Sequence, residues 1–149
     1  MPLTKPTINI ENVVASASIN QKVNLIEITK KFNNVEYHPK RFPGLVFRIK
    51  SPKTATLIFS SGKMVCTGAK SAELSKKAVK TVVSELRKKG IKIKKNAIIK
   101  IQNMVASVDL GGQINLEEAA RRLNQCMYEP EQFPGLIYRM NEPKTVILV

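Results

Sequence analysis

Side chains that could perform acid–base or nucleophilic chemistry are few in this sequence of 149 residues, and they are scattered. Glu11, Glu27, Glu36, Glu73 and Glu85 make no carboxylate cluster, and no activated nucleophile or metal set accompanies them, as an enzyme would require. Cys66 and Cys126 have no CxxC or Cys/His grouping around them and sit among apolar neighbours. Both are expected to be small buried thiols. His38, the one histidine, stands in the proline loop "EYHPKRF" without a companion ligand. The expectation is a protein without catalysis, cofactor or metal.

The chemistry that stands out is charge. Twenty-five Lys and Arg against 11 Asp and Glu leave a net charge of +14 and a pI near 10.0. That balance favours a polyanionic partner, nucleic acid before an anionic membrane, although a solvated basic surface of the ribosomal kind would give the same numbers. No apolar run approaches the ~18 residues of a membrane span. The N-terminus "MPLTKPT" has no apolar signal region, so an intracellular protein is expected.

The elements that must position the charges repeat. With an offset of 91, residues 8–58 align with 99–149 without a gap, and 21 of the 51 pairs are identical, among them Asn12/Asn103, Phe42/Phe133 and Arg48/Arg139. Each copy opens on a strand, "INIENVVASA" or "IKIQNMVASV", rich in β-branched residues and apolar on both faces. A short helix follows, opened by Asn24 with Glu27 or by Asn115 with Glu118, a capping-box spacing. Then come a proline loop, "YHPKRFPG" or "YEPEQFPG", and two strands, "LVFRIK" and "TATLIFS" in the first copy, joined across a Ser-Pro turn. The first copy continues through a hairpin strand into the amphipathic helix "SAELSKKAVKTVVSELRKKG". Ser71 is its expected N-cap, Leu74, Ala78, Val82 and Leu86 its apolar stripe, and Gly90 its C′ residue.

Helices in this order can cover only one face of the sheet. Period-2 counting places Asn12, Val14, Ser16, Leu57, Phe59, Val65 and Thr67 on the other face, which is thus largely apolar and uncharged. Lys40, Arg41, Arg48, Lys53 and Lys63 gather at strand ends and loops, rimming that face as phosphate contacts would; a sandwich or dimer interface is the alternative use of it.

The strings "NVVAS", "KRFPGL", "SPKT", "LIFSSGKMVCTGAKS", "QNMVAS" and "YEPEQFPGLIYRMNEPK" resemble the core of the TATA-box-binding protein family, archaeal rather than nuclear in flavour, from about Ile8 onward. The resemblance implies an α+β fold: a saddle-shaped curved antiparallel sheet built from two pseudo-symmetric repeats, 8–98 and 99–149, with helices on the convex face. It also implies a general transcription initiation factor that binds the TATA box of double-stranded promoter DNA through the minor groove and bends it. Transferred position by position, Asn12, Asn103 and Thr67 would donate hydrogen bonds, and Val14, Val105, Leu57, Leu148 and Val65 would make apolar contact. Phe42, Phe59 and Phe133 would be wedges between base steps, and Arg48 and Arg139 would face phosphate, with Lys40, Arg41, Lys53, Lys63 and Lys144 as weaker candidates. Lys76, Lys77 and Lys80 are expected on the convex side, solvated or docking other factors.

The same resemblance implies partners. Glu129, Glu131 and Gln132, where the first copy has His38, Lys40 and Arg41, would meet a basic surface of transcription factor B and through it the RNA polymerase pre-initiation complex. The expected location is the archaeal cytoplasm at the nucleoid, or the nucleus in a eukaryote. A non-specific basic nucleic-acid-binding protein is the alternative reading; it accounts for the charge but not for the paired Asn. Adding 91 to Phe59 gives position 150, so the second repeat is expected to be incomplete, C-terminally truncated, and prone to self-association through its exposed sheet.

Overall fold

The computed structural model describes residues 5–149 and is α+β. The chain runs through β1 (Thr7–Ser18), α1 (Leu25–Lys31), β2 (Val35–Glu36), β3 (Leu45–Lys50), β4 (Lys53–Ile58), β5 (Lys63–Ala69), α2 (Ala72–Lys88), β6 (Ile98–Asp109), α3 (Leu116–Arg122), β7 (Cys126–Met127), β8 (Ile137–Asn141) and β9 (Lys144–Leu148). It folds as two compact units, Ile8–Val108 and Asp109–Val149, the latter grouped with residues 5–7.

The first unit is a six-stranded sheet in the order β2-β3-β4-β5-β1-β6. Gln102 Nε2 donates to Ser16 Oγ at 2.7 Å and Ser107 Oγ to Glu11 Oε1 at 2.9 Å, so β6 runs antiparallel to β1. The apolar residues of β1 separate by alternation. Val13, Ala15 and Ala17 are buried, while Asn12, Val14 and Ser16 line the other, half-open face. Beneath α2 the core gathers Phe47, Ile58, Met64 and Cys66 with Ala78, Val79, Val82 and Leu86, and Phe32 meets Phe47 edge to face at 5.0 Å.

The helix ends follow local chemistry, with two differences from expectation. Asn24 Oδ1 accepts from the N–H groups of Ile26 and Glu27, and Asn115 Oδ1 from Glu118. The reciprocal half of the capping box is not made, because Glu27 pairs with Lys31 at 3.2 Å and Glu118 with Arg122 at 2.7 Å, one turn on. Ser71 caps α2, and the Gly90 N–H to Arg87 and Ile91 N–H to Leu86 bonds close a Schellman motif at φ +89°. The second difference lies in the stripe. Leu74 is 39% exposed, and Ser75 occupies the buried position instead, because the packed stripe runs 75, 78, 79, 82, 83, 86.

The second unit is a three-stranded sheet, β7-β8-β9, with α3. It repeats the first in detail. Arg139 N–H bonds to Gln125 O as Arg48 N–H bonds to Asn34 O, and cis peptides precede both Pro52 and Pro143. Its burial is unlike that of the first: among the described residues of this unit only Leu136 is buried. Leu110, Ile114 and Ile147 are exposed, whereas their counterparts Ile19, Val23 and Thr56 are buried in a core that α2 closes. Cys126 departs from expectation for the same reason. It is half-exposed, its thiol donating to Leu123 O at 3.3 Å, while Cys66 is buried as expected.

Candidate nucleic-acid interface

Ten of the candidate residues fall in the first unit. The face of the sheet that α2 leaves open carries Asn12 and Val14 from β1, Leu57 from β4, and Val65 and Thr67 from β5, with Asn103 and Val105 on the neighbouring β6. Register sets them in rows: Val46 faces Leu57, Leu57 faces Val65 and Val65 faces Ser16, while Arg48 faces Ala55 and Ala55 faces Thr67. The first row is aliphatic apart from a serine. The second ends on Arg48.

A donor is built into this largely apolar face by an irregularity. The β1–β5 register slips between Val13/Ala69 and Ala15/Cys66, leaving Thr67 and Gly68 together opposite Val14. Gly68 adopts φ +103°, where a side chain would be strained, and its N–H donates to Asn12 Oδ1 at 2.7 Å. That bond decides which end of the Asn12 amide is oxygen. Asn12 Nδ2 therefore points to Thr67 Oγ1 at 3.0 Å, and the Thr67 hydroxyl donates to Asn12 Oδ1 at 3.3 Å, which leaves one Asn12 amide hydrogen to be donated elsewhere. Among the described residues no hydrogen bond holds the side chain of Asn103. The slip at Gly68 is invisible to period counting, since Gly68 has no repeat partner in the aligned stretch.

The aromatic candidates sit at loop tips. Arg41 and Phe42 both donate their N–H groups to His38 O, and Gln132 and Phe133 donate theirs to Glu129 O, so the two loops share one backbone bonding pattern. Phe42 is 41% exposed and Phe133 42%. Each ring folds over a glycine: a Cβ on Gly44 would lie 2.7 Å from the Phe42 ring, and one on Gly135 would lie 2.8 Å from the Phe133 ring. Phe59 packs edge to face on Phe42 at 5.9 Å, so the first loop presents a pair of rings. Phe133, Arg139 and Leu148 belong to the second unit, as do the loop residues Glu129, Glu131 and Gln132.

Arg48 has a partner that sequence reading missed. Its Nη1 lies 3.1 Å from Glu36 Oε1 across the β2–β3 pair, both side chains more than half exposed. The counterpart of Glu36 is Met127, and among the described residues Arg139 has no ion pair. No group of three or more His, Cys, Asp or Glu among the described residues is placed to hold a metal ion.

The features together define a class: a repeated α+β protein that presents a half-open sheet face, an oriented amide within it, and an aromatic-tipped loop from each repeat. The family model for transcription factor TFIID, or TATA-binding protein, matches residues 7–89 and 98–149. TATA-box-binding proteins of Pyrodictium occultum and Methanothermobacter thermautotrophicus are 53% and 50% identical over 145 and 147 residues, covering 97% and 99% of this chain and 73% and 81% of theirs. A solved structure of Methanococcus jannaschii TBP superposes with a TM-score of 0.83 at 50% identity, covering 95% of this chain and 81% of that one. The chain belongs to the TATA-box-binding protein family.

Proposed function

We propose that this protein is a transcription initiation factor that reads A·T-rich promoter DNA through the minor groove. The observation that carries the reading is the Asn12–Thr67–Gly68 arrangement, which orients an amide donor within a largely apolar face. The minor-groove edge of A·T pairs offers acceptors alone, whereas a G·C pair adds an amino donor that aliphatic side chains would leave unsatisfied. Phe42, Phe59 and Phe133 then act as wedges. Minor-groove binders, of which this family is itself a stock example, insert such side chains between base steps and kink the duplex. The two sequence repeats, 8–98 and 99–149, each grip one half of the box. A gel shift comparing an A·T-rich box with a G·C-substituted one tests the reading: preference for the former is expected, and equal affinity overturns it.

Arg48 and Arg139 face phosphate in this reading, but Glu36 competes for Arg48. Replacing Glu36 by Gln should tighten box binding about two- to fivefold at low salt, the scale of an exposed ion pair, with the gain shrinking as salt rises. Arg139→Ala should cost more than Arg48→Ala. Titrations across a salt series decide both points.

The loop pair supports a division of labour. One backbone arrangement carries His38, Lys40 and Arg41 in the first repeat and Glu129, Glu131 and Gln132 in the second, so the two tips suit partners of opposite charge. The acidic tip recruits transcription factor B through a basic surface, and RNA polymerase through that factor. Reversing Glu129 and Glu131 to Lys should leave box binding intact and cut recruitment of the factor at least tenfold in a supershift assay. Unchanged recruitment would remove the assignment. The exposed apolar side chains of the second unit support self-association, which sedimentation at micromolar concentration would register as a concentration-dependent shift.

A further inference from the structure

The net charge is unevenly placed. Residues 8–98 hold nineteen Lys and Arg against five acids, while residues 99–149 hold five against six. Only a few of the nineteen border the open face or its loop. A large share lies on the opposite side, along α2 and the linker that follows it.

That linker is held in place. Ile91 and Ile93 are buried, which turns Lys92 and Lys94 outward between them. Gln21 donates to Lys92 O at 2.7 Å and accepts from Lys94 N–H at 2.9 Å. Arg87 spends its guanidinium on Ile93 O, Lys95 O and Asn96 Oδ1, each within 3.1 Å, so it anchors the linker rather than serving as a free charge. Lys92, Lys94 and Lys95 are thereby fixed beside the C-terminal end of α2, whose exposed stripe carries Lys76, Lys77 and Lys80 at helical spacing. Among the described residues none of these six lysines has an ion-pair partner; the nearby Glu85 pairs with Lys88.

We propose that this surface is a second polyanion site, taking the phosphate backbone of a duplex DNA without sequence preference. Its composition favours DNA over a protein partner. Protein interfaces are depleted in Lys and anchored by aromatic and apolar groups, and on this stripe the one large exposed hydrophobe is Leu74. An array of exposed ammonium groups carried on an anchored backbone suits phosphate contacts, and each neutralised phosphate releases a counterion. Because α2 packs on the sheet face opposite Asn12 and Thr67, one molecule can hold a duplex on each side. The site does not depend on what the open face reads.

The test loads the protein with one equivalent of a labelled A·T-rich duplex and adds a second, differently labelled duplex of random sequence. The protein should capture both, giving energy transfer between the labels. The K92Q/K94Q/K95Q variant should lose second-duplex capture at least tenfold, keep box affinity within twofold, and show a salt slope for random DNA shallower by about three. An Asn12→Asp chain, impaired in box binding, should still capture the random duplex. Absence of a doubly loaded complex in the parent, capture unchanged in the triple variant, or displacement by polyglutamate at charge concentrations where random DNA fails to compete would each overturn the proposal. Thermal unfolding of each variant excludes misfolding as the cause.

Discussion

Asn12→Asp should leave the protein folded and all but abolish its discrimination for an A·T-rich box. Aspartate keeps an oxygen for the Gly68 N–H, so the bulge that shapes the face survives. What it removes is the amide donor beside Thr67, and what it adds is a negative charge directed at groove acceptors and their phosphates. Asn12→Ala is the less selective change: it should cost about 1–3 kcal/mol of box binding and also leave the Gly68 N–H without its partner. Asn103→Ala should cost less than Asn12→Ala, since its amide is not oriented in advance and no backbone donor is stranded by its loss. The measurement is affinity for the A·T-rich box and for random DNA side by side, with unfolding curves for each variant. Equal losses on the two DNAs would sink the role of Asn12.

The second large effect is expected at the loop glycines. Gly44→Ala places a methyl group 2.7 Å from the Phe42 ring, closer than real Cβ contacts occur, and a tight 3.1 Å from that of Phe59, so the exposed Phe42 ring must swing away. The loop backbone has no need to move, and because Phe42 is 41% exposed, folding stability should change little. Wedge geometry, by contrast, should be lost. Gly44→Ala should reproduce most of the defect of Phe42→Ala, about 1–3 kcal/mol of affinity if the ring stacks on a base, together with a smaller bend. End-to-end energy transfer across a labelled box reads the bend directly. Gly135→Ala should displace Phe133 in the same way, the ring lying 2.8 Å from the added Cβ, with a further tight contact of 3.1 Å to the backbone oxygen of Val149. A Gly44→Ala protein that bends the box as sharply as the parent would show that the ring position is irrelevant.

Much of this architecture was legible in the order of residues, for a physical reason. Caps, helix ends, proline loops and the alternation of strands depend on neighbours within a few positions, so Asn24, Asn115, Ser71 and Gly90 could be read in place, as could the repeat itself. The α+β fold with antiparallel strands and the family followed from the same strings. The internal design of the open face required the folded chain. Gly68 reaches Asn12 across 56 positions only because β5 slips one residue against β1, and Glu36 reaches Arg48 only because β2 pairs with β3. Burial also belonged to the tertiary level. Leu74 and Ser75 exchanged their expected places because the sheet under α2 selects a stripe that a helical wheel leaves ambiguous by one position. Cys126 stayed half-open while Cys66 was buried, although both sit among apolar neighbours in sequence. Side-chain periodicity tells which residues can share a face, but register and the covering element decide which of them touch.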